Sequence, residues 1–296
     1  MITIITAPFV YWRLDNDVTT ARFLTPHERL QCIERLRANQ TGIGSRDFEW
    51  SHVWELALEP KTYLWIGMSL LLNVGASVTN VFGPLILKGL GFNKYVTSLL
   101  NIPFGAVQLI IILISSWAAA KAKLKAPVLL LLVLPVIAGL AMLYTIPRSN
   151  TPGLLGGYYL LAFIFGSNPL IVSWIIGNTA GTTKKSVIMS LYNAGSSAGN
   201  IIGPLLFSAK DAPSYLPGLR SVLAIFVTLG AVIVLQFANL FLLNKMQGKK
   251  RVENGKQAVI HDASMDTRYV QTEVQDVGEH AFDMTDRKND EFVYIY

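Results

Sequence analysis

Amide side chains placed inside long apolar runs are the first candidates for chemistry in this sequence. Asn73, Asn80, Gln108, Asn168, Asn193 and Asn200 each lie in a run free of Asp, Glu, Lys and Arg. An amide donates and accepts hydrogen bonds but does not ionise near neutral pH. Asn73 and Asn80 are seven residues apart, as are Asn193 and Asn200. Seven residues is two helical turns, so each pair shares one face. Such a face can line a polar cavity. It can equally supply bonds between helices, which contribute about 0.6–2 kcal/mol each in membrane bundles. Around the second pair, Ala194, Gly195, Ala198, Gly199 and Gly203 point to close helix packing.

Reactive groups are scarce in the same runs. His27, His52, His261 and His280 all lie outside them and lack metal-ligand spacing, and Cys32 is the single cysteine. Neither a disulfide within the chain nor a multi-cysteine metal site is expected. The sequence has no H-E-x-x-H and no Walker loop. We therefore expect no enzyme, no metal and no cofactor.

The elements that carry the amides follow from composition. Of 296 residues 52% are apolar and 15% charged, against about 25% charged in an ordinary soluble domain. The charges crowd into residues 13–61 and 244–296, leaving too little polar surface between them to face water. A helix needs about 20 apolar residues to cross about 30 Å of hydrocarbon. Six segments meet that rule: 63–87, 97–120, 126–146, 154–177, 186–208 and 219–243. The expected fold is an all-α membrane protein, a six-helix transmembrane bundle in a lipid bilayer. Pro84, Pro103, Pro135, Pro169 and Pro204 fall inside these segments, where neighbouring helices can satisfy the carbonyls that proline frees.

Basic residues in short loops set orientation. Lys61, the Lys121–Lys125 cluster, Lys184, Lys185 and the Lys245–Arg251 cluster fall on one side, the side of both termini. Both ends are thus expected in the cytoplasm. The net charge of +6 is spent on these loops and forms no basic stripe with interleaved aromatics, so no nucleic-acid partner is expected.

The flanks read differently. Residues 1–62 hold an apolar opening stretch and two short amphipathic helices. Thr25-Pro26-His27-Glu28 has the form of a capping box. Phe48 to Leu58 places Trp50, Val53, Trp54 and Ala57 at helical spacing, suiting either the headgroup region or the end of the bundle. Residues 63–243 form the bundle. The tail, 244–296, begins basic, turns acidic and reads as largely disordered, yet it closes on Phe282, Phe292, Tyr294 and Tyr296, which suggests docking.

Several ordered motifs resemble one family. PFVYWRLDNDVTTARFLTPHERLQCIERLRANQTG resembles an exit from a sixth helix followed by a central loop. NVFGPLILKGLGF and SLLNIPFGAVQ are similar to a seventh and an eighth helix. NTAGTTKK and GNIIGPLLFSAKDAPSYLPG resemble the loop before an eleventh helix and that helix itself, and FDMTDRKNDEFVYIY resembles a family ending. Together they resemble the C-terminal half of the major facilitator superfamily, in its anion:cation symporter family typified by fungal allantoate permeases. Leu14 stands where that family shows a Leu-Pro pair, and the loop WAAAKAKLK lacks an Asp of the superfamily's loop motif.

The resemblance implies half of a secondary transporter for small organic anions, such as allantoate or a carboxylate vitamin, working by alternating access at a midplane site. It implies a plasma-membrane address and protons as coupling ion. On it, Asn73, Asn80, Gln108, Asn168, Asn193 and Asn200 face the pathway and bind a carboxylate or ureide. The cationic anchor and the protonatable group belong to a missing N-terminal half, with Met1 to Trp12 as the stub of a sixth helix. The chain alone, a fragment or a truncated gene product on this reading, is then expected to be inactive. Alternatives are a half-transporter acting as a homodimer, a membrane enzyme, and a receptor or scaffold signalling through its tail.

Overall fold

The computed structural model describes residues 2–15, 21–29, 31–32, 47–80, 83, 87, 93–147, 149–211, 214–259 and 284–296. Among them every long element is a helix. The helices are α1 (Ile2–Arg13), α2 (Trp50–Ala57), α3 (Pro60–Asn80), α4 (Lys94–Ala122), α5 (Ala126–Thr145), α6 (Thr151–Leu160), α7 (Ile164–Gly177), α8 (Thr182–Leu205) and α9 (Leu216–Glu253). A 3₁₀ turn, Leu161–Phe163, joins α6 to α7, so the two form a single crossing. Just beyond the turn, Pro169 removes the hydrogen bond that would reach the Phe165 carbonyl.

Local chemistry sets the helix ends. Asn93 accepts from the Val96 amide at 2.8 Å to cap α4, and Asn150 accepts from Gly153 at 3.1 Å to cap α6. The expected capping box forms: the Thr25 amide donates to Glu28 Oε2 at 2.8 Å, and the Glu28 amide donates to Thr25 Oγ1 at 3.4 Å. The end of the first expected span, 81–87, lies largely outside the described residues.

Among the described residues five segments are long and apolar enough to cross a membrane: Pro60–Thr79, Tyr95–Ala122, Ala126–Thr145, Thr151–Gly177 and Leu216–Glu253. The sixth, α8, has the length, 24 residues, but less apolar character because it carries serines and asparagines. It can stay in the bundle because α3 covers one of its faces. Gly195, Gly199 and Gly203 let the two backbones meet: a Cβ at Gly199 would lie 2.7 Å from the Leu70 carbonyl, and one at Gly203 2.5 Å from Ser77 Cβ. This is small-residue packing as membrane helices use it.

The core is shared by α3, α5, α7 and α9. Trp65 and Trp174 meet edge to face at 4.8 Å, and Leu129, Leu140, Phe226 and Ile233 are fully buried around them. Near the other end of the bundle, Phe104 stacks on Tyr158 at 4.8 Å. The outer faces of α4 and α5 remain apolar, with Ile102, Leu109, Leu113 and Leu131 exposed, as lipid contact requires.

Two flanks take a definite form in the structure. First, α9 does not stop at 243 but runs to Glu253. Its extra turns present Asn244, Gln247 and Arg251 to the segment 284–296, which is ordered against them. The disorder expected of 244–296 therefore does not extend to 244–259 or 284–296. Second, α2 packs through His52 and Leu56, which are buried. Trp50 and Trp54, on the opposite side, stay exposed.

Candidate functional site

Two polar groupings stand out: an amide face along α3, α7 and α8, and an ionic cluster at the end of the bundle where α3 begins. The amide face is built on the glycine contact between α3 and α8. Burial of Gly195, Gly199 and Gly203 turns another side of α8 outward. On that side Ser186, Ser190, Asn193, Ser197 and Asn200, spaced four and three residues apart, are all exposed. Ser186 and Ser190 donate to carbonyls one turn back, Thr182 and Ser186, at 2.9 Å. Their lone pairs are thus left facing outward.

The structure brings together four of the six expected amides. Asn200 donates to Asn73 Oδ1 at 3.3 Å and to the Ser196 carbonyl at 3.0 Å. Asn73 itself donates to the Ser69 carbonyl at 2.8 Å. The Tyr192 hydroxyl donates to Asn168 Oδ1, and the Tyr192 carbonyl accepts from Ser69 at 2.7 Å. Asn193 lies on the exposed stripe, and among the described residues its side chain has no hydrogen-bond partner. Gln108 stands apart, half-buried on α4, which packs chiefly on α7. Asn80 closes α3, and its side chain lies outside what is described. Both roles open to an amide are thus visible in one place: some bonds join helices, while other polar atoms on the same surface face out.

An apolar crevice of about 430 Å³ between α4 and α5, lined by Val107, Ile110, Ile114, Leu131 and Phe163, lies away from this face.

The ionic cluster was not anticipated from sequence, because its members sit in stretches that read as solvated. Lys184 reaches Glu55 and Glu59 at 2.7 Å and Asp286 at 2.9 Å. Lys61 pairs with Glu59 at 3.3 Å and with Asp286, and it lies 5.0 Å from the centre of the Tyr294 ring. Asp286 accepts further bonds from the Ala180 amide at 3.3 Å and from the Tyr294 hydroxyl at 2.8 Å. Burial alone would raise its pKa, but Lys61 and Lys184 outweigh burial and hold it down at about 2. The Tyr294 phenol is pushed up by burial and by the Asp286 charge beside it. Oxygens of Glu55, Glu59 and Asp286 lie within 4.8 Å of one another, and the Lys184 ammonium takes the position of a cation among them.

A polytopic helical bundle with an uncharged polar face between apolar outer surfaces is the build of a membrane transport protein. The Major Facilitator Superfamily model matches residues 1–204, and the chain belongs to that superfamily. It is 32% identical over 297 residues to an MFS-type transporter of Penicillium expansum, covering 99% of this chain and 57% of that protein. It is 29% identical over 305 residues to a thiamine pathway transporter of Saccharomyces cerevisiae, covering 100% of this chain and 53% of the relative. The allantoate permease of the same yeast is 26% identical over 261 residues, covering 85% of this chain and 47% of the permease. The chain spans about half the length of the curated relatives it matches. No solved structure matches it.

Proposed function

We propose that the chain forms the six-helix half of a secondary transporter for small organic anions, and that the exposed stripe of α8, with Asn73 and Asn168, lines the substrate path. The observation that carries this reading is the stripe itself. Exposed serines and asparagines over four turns of a membrane helix are costly against lipid, so water, substrate or another helical half must cover them. Gln108 and Asn80 are retained in the proposal as further path-facing amides. A permease for allantoate and a thiamine pathway transporter among the relatives support a small polar substrate, for which allantoate or a carboxylate vitamin fits the amide lining.

On this reading the address is the plasma membrane with both ends cytoplasmic. Coupling to protons and the cationic anchor reside in a second half, since the described parts of the spans offer no ionisable interior. Vesicles holding only this chain are then expected to accumulate no substrate, and saturable proton-dependent uptake by them would refute the division of labour. For the pathway itself, the chain is fused behind the first half of the yeast allantoate permease and tested for labelled allantoate uptake in a strain lacking that permease. Uptake that is lost on Asn193→Leu and Asn200→Leu, with unchanged protein level at the membrane, is the expected result. Uptake indifferent to both changes sinks the assignment of the stripe.

A further inference from the structure

At the basic end of the bundle, α2, the turn between α7 and α8, and the last turns of α9 form a groove filled by the segment 284–296. The groove grips this segment mainly by its backbone. Asn178 accepts from the Ile295 amide at 2.7 Å and donates to the Ile295 carbonyl at 3.0 Å. Asn244 does the same for Tyr294, at 2.8 and 2.7 Å. Trp174 Nε1 donates to the Ile295 carbonyl at 2.8 Å, Gln247 to the Asp286 carbonyl at 2.8 Å, and Arg251 to the Asp290 carbonyl at 2.9 Å. Main-chain bonds of this kind supply affinity, and side-chain pockets supply selectivity. Asp286 sits between Lys61 and Lys184, and Phe292 and Tyr294 are buried beside it.

Within the ionic cluster the remaining charges stay paired without the segment. With it in place, three carboxylates (Glu55, Glu59, Asp286) face two ammonium groups (Lys61, Lys184). Without it, Glu55 and Glu59 are matched two against two, through the contacts of Lys184 with both and of Lys61 with Glu59. Departure of the segment therefore leaves both carboxylates of the cluster with a lysine partner, while Arg251 on α9 loses the Asp290 and Phe292 carbonyls and keeps that of Ala258.

We propose that this groove is a peptide-binding site, selective for a segment that carries an aspartate and, farther on, a tyrosine, and that residues 284–296 are its resident ligand, a clamp that enters and leaves as a unit. Docked, the clamp ties the ends of α3, α7, α8 and α9 together. Released, it frees them to move apart and exposes the groove.

The test uses the full chain in detergent micelles. Hydrogen exchange of the wild-type chain is read first. The Tyr294 and Ile295 amides should exchange together, at least about tenfold faster than buried amides of α3 and α7, as a local opening requires. Exchange only in step with those helices would overturn the proposal, and this reading needs no variant. A labelled synthetic peptide of residues 284–296 is then added to the wild-type chain and to Asp286→Asn. It should bind the variant about tenfold or more tightly than the wild type, whose tethered segment competes at high effective concentration. A peptide carrying the same Asn should not bind. Equal binding of both peptides to both chains would show that no selective groove exists.

Discussion

Lys184, near the start of α8, and Asp286, in the segment 284–296, meet at 2.9 Å with neither side chain exposed to solvent. The same ammonium bonds Glu55 and Glu59 at 2.7 Å. One lysine thus joins the short helix before the first span, the penultimate long helix and a segment far along the chain.

Replacing Lys184 with Met is expected to be severely destabilising. The buried carboxylates Glu59 and Asp286 would be left with Lys61 alone, and breaking a buried pair from one side costs about 3–5 kcal/mol. Thermal unfolding of the purified chain in detergent checks this. A melting temperature unchanged from wild type would mean that solvent reaches the cluster.

Docking of the segment 284–296 should be flat with pH across the neutral range and fail only in acid. The folded pKa of Asp286 is held near 2, below its ordinary 3.8. A depressed carboxylate contributes stability that is fully present above the unfolded value and lost as pH falls through the folded one. The window therefore lies between about pH 4 and pH 2. Exchange of the Tyr294 amide, corrected for intrinsic rate, should hold steady from pH 7 to 5; a rise within that interval contradicts the assignment.

The glycine contact between α3 and α8 gives a sharp contrast. A Cβ at Gly203 would lie 2.5 Å from Ser77 Cβ and 2.8 Å from the Val74 carbonyl, whereas one at Gly105 would meet nothing within 4 Å. Gly203→Ala should cost about 1–3 kcal/mol through overpacking. Gly105→Ala should be neutral or mildly stabilising, by up to about 1 kcal/mol. Parallel melts of the two variants settle the comparison.

Labelling distinguishes the polar stripe from the lipid face. In a Cys32→Ser background, Cys placed at Ser190, Asn193 or Ser197 should react with a small membrane-impermeant thiol reagent. Cys at Leu131, exposed on α5, should stay unreactive in lipid because thiolate does not form there. Failure of Cys at Ser190, Asn193 and Ser197 to react would mean that α8 faces no aqueous path.

Much of the fold was legible in the residues alone. Long uncharged runs admit one arrangement in a bilayer, since backbone groups without water must bond within a helix. That constraint made the crossings readable, and the closely spaced glycines of α8 marked a packing face. Asn73 and Asn200 could be placed on helix faces by their spacing. Their mutual bond, and that of Tyr192 with Asn168, depended on how α3, α7 and α8 rotate against one another, which no single helix encodes.

The ionic cluster was decided by tertiary structure. Glu55, Glu59, Lys61, Lys184 and Asp286 stand near chain ends and helix termini, where charged residues are ordinarily solvated. Composition cannot separate a solvated charge from one paired with a residue more than a hundred positions away, because both look polar in sequence. A trace did exist: Asn244, Gln247 and Arg251 fall on one side of α9 just past its apolar stretch, and aromatics close the chain. Burial made that trace a site, since in a low-dielectric setting each charge must find its partner wherever the chain has put it.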